Sequence, residues 1–399
     1  MAFTEKYVTV NGGGLHDGSS EANAWTLAEA YTNMSVGDRL NIKAGTYTVG
    51  GGWNAWPVSS LSSPSGFRGY KTTIGDLDDK PTSQLVDGTD RPLIQTTNSS
   101  YYWQTTRSYE LYENLAFESS TSRPAKYTDG FYTIYSRCKF IADPAGSINF
   151  SPCIRRNTGN YSSFVNCHFD GNGGGQEQSI AEATQFVGCL FENLKYISSA
   201  EFVQFSNSII RNMTQGGLRY TAWGWHNING NTFYNIGGNA IEILNATTPS
   251  IGSILIQNNV FHTITGNALQ SAANNLDFFA DNNLFYNVTG SNYSNTFNLN
   301  RNAISEASDP FVDAAAGDYS LVSSSGGYGK AQPNPFEGLA ADSRRDIGAI
   351  QHADPSGGGS SSSSTPTAGT QVYPFRQWVE DDFGGGSGGG AALHPLRSN

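Results

Sequence analysis

The sequence predicts an all-β chain wound as a parallel β-helix solenoid, with a short helix near its start and an extended tail at its end. Three observations predict it. The segment "NTFYNIGGNAIEIL" at Asn231–Leu244 is nearly repeated as "NVFHTITGNALQSA" at Asn259–Ala272, and again as "NLFYNVTGSN" at Asn283–Asn292. Around each copy apolar and polar residues alternate with period two, the signature of a strand. No repeat unit contains a helix-length stretch of 3.6-residue periodicity.

The repeat is justified by its anchors. Aligning on a small/Cys/Asn–x–Phe motif selects Phe117, Phe140, Phe169, Phe191, Ile210, Phe233, Phe261 and Phe285, separated by 23, 29, 22, 19, 23, 28 and 24 residues, a mean of 24. "ATQFVGCLFEN", "SSFVNCHFDGN" and "SILIQNNVFHT" read as strands running through the anchor. A turn rich in Asn and Gly follows ("NIGGNA", "TITGNA"), then a second short strand ("AIEIL", "ALQS"). One such unit cannot bury its own apolar face, whereas units stacked about 4.8 Å apart can. Each ring in the resulting column contributes roughly 1.5–3 kcal/mol.

The columns beside the anchor follow. Two residues before it stand Leu115, Cys138, Cys167, Cys189, Ser208, Asn231, Asn259 and Asn283, inward by alternation. Three thiols therefore stack in consecutive coils as small buried groups. In-register parallel strands hold them side by side, a poor geometry for a disulfide, and 4 Cys in 399 residues are too sparse for a disulfide framework. Two residues after the anchor stand Asn193, Asn212, Asn235, Thr263 and Asn287, whose side chains are expected to bond one another and the turn backbone.

The ends differ from the middle. Residues 1–48 read as an N-terminal strand, a capping helix within "AWTLAEAYTNM" (Ala24–Met34, with Trp25, Leu27, Ala30 and Tyr31 on one face) and a first coil in "GDRLNIKAGTYT". The β-helix occupies 49–352. Residues 353–370, including "DPSGGGSSSSSTPTAGT", form a linker flexible by composition. The tail, 371–399, carries Tyr373, Phe375, Trp378 and Phe383 in "QVYPFRQWVEDDF". Aromatics clustered behind such a linker read as a peptide that docks on another chain, with folding back along the solenoid flank as the alternative.

Composition narrows the function. A net charge of −11 with 14% charged residues argues against nucleic acid as a partner. No run of about 18 apolar residues is present, so no membrane insertion is expected. "MAFTEKYVTVNGGG" lacks a basic start followed by an apolar stretch, so no signal peptide is expected. HExxH, CxxC, a Walker loop and a nucleophile elbow are all missing, and neither a metal nor a cofactor is expected.

Candidate chemistry sits one residue after the anchor, where the chain points outward: Glu118, Ile141, Asp170, Glu192, Arg211, Tyr234, His262 and Tyr286. Asp170 and Glu192 fall on adjacent coils, about 5 Å apart, with Arg211 next. Such a pair is able to do acid–base or nucleophilic work on a glycoside or to hold Ca²⁺. An ion-pair column neutralised by Arg211 explains the same residues structurally, and is the preferred reading. "WGWHN" places Trp223 and Trp225 near Tyr234 and His262, a platform on which a sugar would stack. "WNAW" and "YYW" stay open between sugar contact and packing.

The segment "GSSEANAWTLAEAYTNMSVGDRLNIKAGTYT", the early coils "GFRGYKTTIGDLDDKP" and "VDGTD", and the closing "DPFVDAAAGDYSLV" and "DSRRDIGAIQ" resemble the right-handed β-helix proteins of the pectate-lyase-like superfamily, over residues 7–352. The resemblance implies a right-handed solenoid. It says little about function, because that superfamily holds lyases, hydrolases, epimerases, adhesins and phage spikes. The superfamily's calcium ligands and paired Arg base find no match here, so no residue role is carried over. The expected function is a non-enzymatic virion surface protein, a phage capsid decoration or spike. It would attach to a major capsid or tail protein through Tyr373–Phe383 and present the β-helix outward, with a surface glycan as ligand. A homotrimer is an expectation by analogy with viral β-helices. The alternatives are a polysaccharide lyase or glycosidase acting at Asp170, Glu192 and Arg211, and a cell-surface adhesin.

Overall fold

The computed structural model describes residues 3–351 apart from 50–62, 97–102, 106–108, 120–125, 129–131, 143–153, 157–161, 174–176, 181–183, 200–202, 221–225, 245–252, 272–276, 295–298 and 333–345. Trp223 and Trp225, the linker, and the tail aromatics Tyr373, Phe375, Trp378 and Phe383 lie outside the described residues.

The chain is a parallel β-helix. Among the described residues, a first sheet of 12 strands runs from Thr4–Val8 to Leu299–Arg301, and a second of 11 strands runs from Gly45–Val49 to Ile304–Ser305. A third sheet of 6 strands begins at Glu177–Ile180 and ends at Tyr293–Ser294, preceded by 3 strands at Trp103–Thr105, Lys126–Thr128 and Ile154–Arg156. From Trp103 onward, successive coils add one strand to each face in turn.

The anchors stack in the expected register: Phe117, Phe140, Phe169, Phe191, Ile210, Phe233, Phe261 and Phe285 pair in sequence along the second sheet. Phe140, Phe169 and Phe191 lie face to face with centroids 5.0 and 4.4 Å apart. The first sheet sends a second aromatic column inward, Phe67, Tyr112, Tyr135, Phe164, Phe186 and Phe205, spaced 4.7–5.0 Å. The two columns meet edge to face, as in Phe186 against Phe191 at 5.2 Å and 72°. Stacked rings within a column and tilted contacts between columns suit the quadrupole of the ring, which disfavours a face-to-face sandwich in full overlap.

One expectation is corrected. The long strand read through each anchor is two strands that meet at a corner. Three residues before the anchor the backbone turns left-handed: φ is 53° at Arg137 and Asn166, 62° at Gly188, 50° at Asn207, 68° at Gly230 and 56° at Asn258. Glycine adopts this conformation at no steric cost and Asn tolerates it best among the rest. The corner also shifts the alternation by one. Thr184 and Phe186 face inward before Gly188, and Cys189 and Phe191 after it. A second left-handed corner follows at Asn193, Asn212, Asn235, Thr263 and Asn287, with φ between 53° and 59°. There the expected side-chain bonds form between Asn235 and Asn212 (2.9 Å) and between Asn287 and Thr263 (3.3 Å).

The inward column is thiol in one half and amide in the other. Cys138, Cys167 and Cys189 are buried free thiols, and each Sγ donates to carbonyl oxygens of its own and the preceding coil. From Ser208 onward an oxygen side chain in each coil accepts the backbone N–H of the coil before. Ser208 Oγ accepts from Cys189, Asn231 Oδ1 from Ser208, Asn259 Oδ1 from Asn231, and Asn283 Oδ1 from Asn259, at 2.9–3.1 Å.

Both ends are dressed. The helix Leu27–Asn33 starts later than the apolar pattern suggests, because Thr26 and Glu29 form a reciprocal capping box. It buries Leu27 and Ala30, with Trp25 beside it, against the first coils. Beyond the last coil, Phe311–Asp313 pairs antiparallel with Asp318–Leu321. This hairpin and Ile347 pack on the outer face of the second sheet, over Val260 and Leu284.

Candidate functional site

The outer face of the second sheet brings the candidate acids together. Asp170 pairs with Glu192, Glu192 with Arg211, Arg211 with Tyr234, and Tyr234 with His262 in neighbouring strands. Two contributors escaped the sequence reading, His168 and Lys139, which stand one residue before the anchor on the same face. The same register arithmetic applied one position earlier would have found them.

Glu192 is held from both sides. His168 Nε2 lies 2.8 Å from Glu192 Oε1, and Arg211 Nε and Nη2 lie 2.7 and 2.6 Å from Oε2. Burial alone would raise the Glu192 carboxyl, but the hydrogen bond and charge of His168 and the Arg211 guanidinium outweigh it and hold it down at about 2. Arg211 is itself tied, its Nη1 donating to Tyr319 Oη of the hairpin at 3.3 Å. Asp170 accepts from the backbone of Asn172 at 2.9 Å and from Asn193 Nδ2 at 3.1 Å, and Lys139 Nζ lies 3.7 Å away. Lys139 also reaches Asp87 at 3.2 Å, and Asp87 accepts from the fully buried Arg91 at 2.5 Å. The charges form two strings of alternating sign, Arg91–Asp87–Lys139–Asp170 and His168–Glu192–Arg211, whose acids Asp170 and Glu192 stand on neighbouring strands.

The remaining candidates on this face are packed under the hairpin, which corrects the expectation of an open outer face. His262 is only 4% exposed. Its Nε2 lies 3.1 Å from Asp309, and its ring stacks on Phe311 at 4.9 Å and contacts Tyr234 at 5.1 Å. Tyr234 in turn touches Tyr319 at 5.2 Å. Tyr234 and His262 thus serve as the landing point of the closing hairpin. The position before the anchor explains why it lands there: Lys139 and His168 give way to Leu190, Ile209, Thr232, Val260 and Leu284 along the strand register, so the face turns from charged to apolar.

One ligand atom from each of His168, Asp170 and Glu192 falls within 4.8 Å of the others. Calcium takes 6–8 oxygen ligands, whereas this set offers one imidazole and two carboxylates already engaged by Arg211 and Lys139. The residues do not fit a calcium site.

The other two faces carry different chemistry. On the third sheet Arg219 and Lys195 stand over the Tyr196 ring at 4.2 and 5.3 Å, and Arg219 donates to Glu242 at 2.8 Å. On the first sheet the outward positions of six consecutive coils are uncharged. One column runs Ile134, Ser163, Gln185, Gln204, Asn227, Leu255 and the other Ser136, Val165, Val187, Ser206, Asn229, Gln257. Ion pairs bound the strip, Arg68–Glu113 at one end and Asp281–Arg301 at the other.

No family model matches the sequence, and no curated protein matches it. Among solved structures it is similar to the pectate lyase Pel9A, with a TM-score of 0.62 and 14% identity over 88% of this chain and 97% of that one. A rhamnogalacturonan lyase aligns with a TM-score of 0.45, 11% identity, and 76% and 87% coverage. The family PL6 alginate lyase AlyGC gives 0.36, 10%, and 76% and 53%. At such identities the likeness is one of architecture, and the chain shares the pectate-lyase-like parallel β-helix fold.

Proposed function

We propose that this protein binds carbohydrate without cleaving it, as a β-helical surface protein of a phage virion, a capsid decoration or spike attached through its C-terminal tail. The arrangement of Glu192 carries the non-catalytic part. A general acid must hold a proton near the working pH and a nucleophilic or basic carboxylate must be free to reach substrate. Glu192 is ionised far below that range, bonded on both oxygens, and linked through Arg211 to the Tyr319 hydroxyl of the closing hairpin. The virion setting is supported by the sequence of the Gly/Ser linker and of Tyr373–Phe383. The full-length protein should release no product from neutral or acidic polysaccharides. Deleting residues 371–399 should abolish its incorporation into particles. Polysaccharide cleavage that disappears in Asp170→Asn, or unchanged particle occupancy after the deletion, would overturn the corresponding part.

A second reading, cleavage of an acidic glycan, is favoured by the pair of cations over Tyr196 on the third sheet. It requires release of unsaturated oligosaccharides from polygalacturonate by the wild type, and loss of that release in Lys195→Ala or Arg219→Ala.

A further inference from the structure

We infer that the outer face of the first sheet, from the coil of Ile134 to the coil of Asn227, is a binding strip for a linear, uncharged glycan, bounded beyond Asn229 by Gln332, which bonds Gln257 at 3.1 Å and covers that coil; this deepens the binding function proposed above and rests on it.

Charge selects the ligand class. The chain carries a net charge of −11, yet these two columns hold amides, hydroxyls and aliphatic groups only. An acidic glycan needs cations to offset its desolvation; the cation that adjoins the strip, Arg137, is already paired with Asp78 at 3.1 Å, and Lys195 and Arg219 gather over Tyr196 of the third sheet instead. Alternating amide and valine side chains suit a sugar, which presents hydroxyls at its edges and C–H groups on its faces.

Shape selects a slender chain over a second copy of the protein. Five coils at about 4.8 Å span roughly 19 Å, and two columns two residues apart add about 7 Å of width. A strip of that size offers far less than the ~800 Å² per partner of a stable protein interface.

Unmet hydrogen bonds point the same way. Asn229 is only 5% exposed, and its Oδ1 accepts from Asn258 at 3.0 Å. Its Nδ2 is buried without a partner, as is Oδ1 of Asn227, two residues earlier on the same face. A buried donor left unpaired costs about 1–3 kcal/mol, and a donor and an acceptor two residues apart on one face match successive hydroxyls of a sugar, each of which both accepts and donates.

The test uses the full-length protein on an array of linear neutral and uronic-acid oligosaccharides, with calorimetry on the best neutral hit. Neutral oligosaccharides should bind, and uronic-acid ones should not. Gln204→Glu, nearly isosteric and central in the strip, should weaken binding at least tenfold with an unchanged thermal midpoint, while Lys195→Ala should leave it unaltered. Binding confined to uronic-acid oligosaccharides, or neutral binding indifferent to Gln204→Glu, would overturn the strip while leaving the binding function standing. No binding to any glycan would remove both. A change of oligomeric mass in Gln204→Glu by light scattering would show that the face joins copies of the chain, and would also overturn the strip.

Discussion

The two halves of the solenoid share one backbone and differ in what fills it. Between Tyr112 and Phe205 the interior is aromatic on two sides and thiol at the corner, a packing of rings at 4.4–5.6 Å with no side-chain amide in the column. Between Ser208 and Asn283 the first sheet turns inward Ile228, Ile256 and Ala280, and the corner becomes a ladder in which each Asn accepts the backbone N–H of the coil before. The first half is held by shape and dispersion; the second keeps the stack of Phe233, Phe261 and Phe285 and adds directional bonds that a buried amide must make or forfeit. The coil geometry tolerates either filling, provided each column stays consistent with its neighbours. The outside changes near the same place, from a charged face at Lys139–Arg211 to an apolar one covered by the hairpin.

That contrast can be broken at defined points. The largest effect is expected in the aromatic half. Phe169 lies between Phe140 and Phe191 and touches Phe164 and Phe186, so Phe169→Ala should cost about 3–5 kcal/mol in denaturant unfolding. In the amide half, Asn259→Leu keeps the branched heavy-atom shape but removes the acceptor of Asn231 and the donor to Ile228 O. A loss of about 3 kcal/mol is expected, and a neutral outcome would mean that the ladder adds nothing beyond packing.

Acid should then separate the interior from the outer face. His226 is buried beside Tyr220, at 4.3 Å between rings, and burial lowers it from 6.5 to about 4. Glu192 is lowered from 4.5 to about 2. At both groups the folded chain binds fewer protons than the unfolded one, so stability falls as pH falls. The His226 contribution is complete above about 6.5 and is lost towards about 4, and the Glu192 contribution is lost from about 4.5 towards about 2. Each amounts to about 3 kcal/mol at most. Thermal midpoints from pH 7 downward should show His226→Phe flattening the upper window only and Glu192→Gln the lower one only. The smallest effect belongs to the hairpin: Asp309→Ala removes the contacts to His262 and to the Phe311 N–H and should cost about 1 kcal/mol, read as faster amide exchange in 311–321.

The repeat made much of this legible in advance. Once Phe117 to Phe285 are aligned, every neighbour takes its place in a column, and Asp170, Glu192 and Arg211 fall in line by counting. The corners were hidden because an Asn in a left-handed turn looks like one more polar residue in an alternating strand, and only the one-residue slip between Phe186 and Cys189 betrays it. The cover over Tyr234 and His262 was hidden for another reason: Asp309 and Tyr319 reach residues 47 and 108 positions away, and no local pattern encodes such pairing. The burial of Arg91 against Asp87, and the half-burial of Lys139 beside them, likewise depend on where the 71–91 segment comes to lie.

The claim that the acidic column fastens the molecule, and does no proton transfer, is tested most directly by titrating the Glu192 side-chain carboxyl by carbon-13 NMR, with the resonance assigned through Glu192→Gln. A midpoint near 2 is predicted. A midpoint between about 5 and 7, where a general acid works, would contradict it.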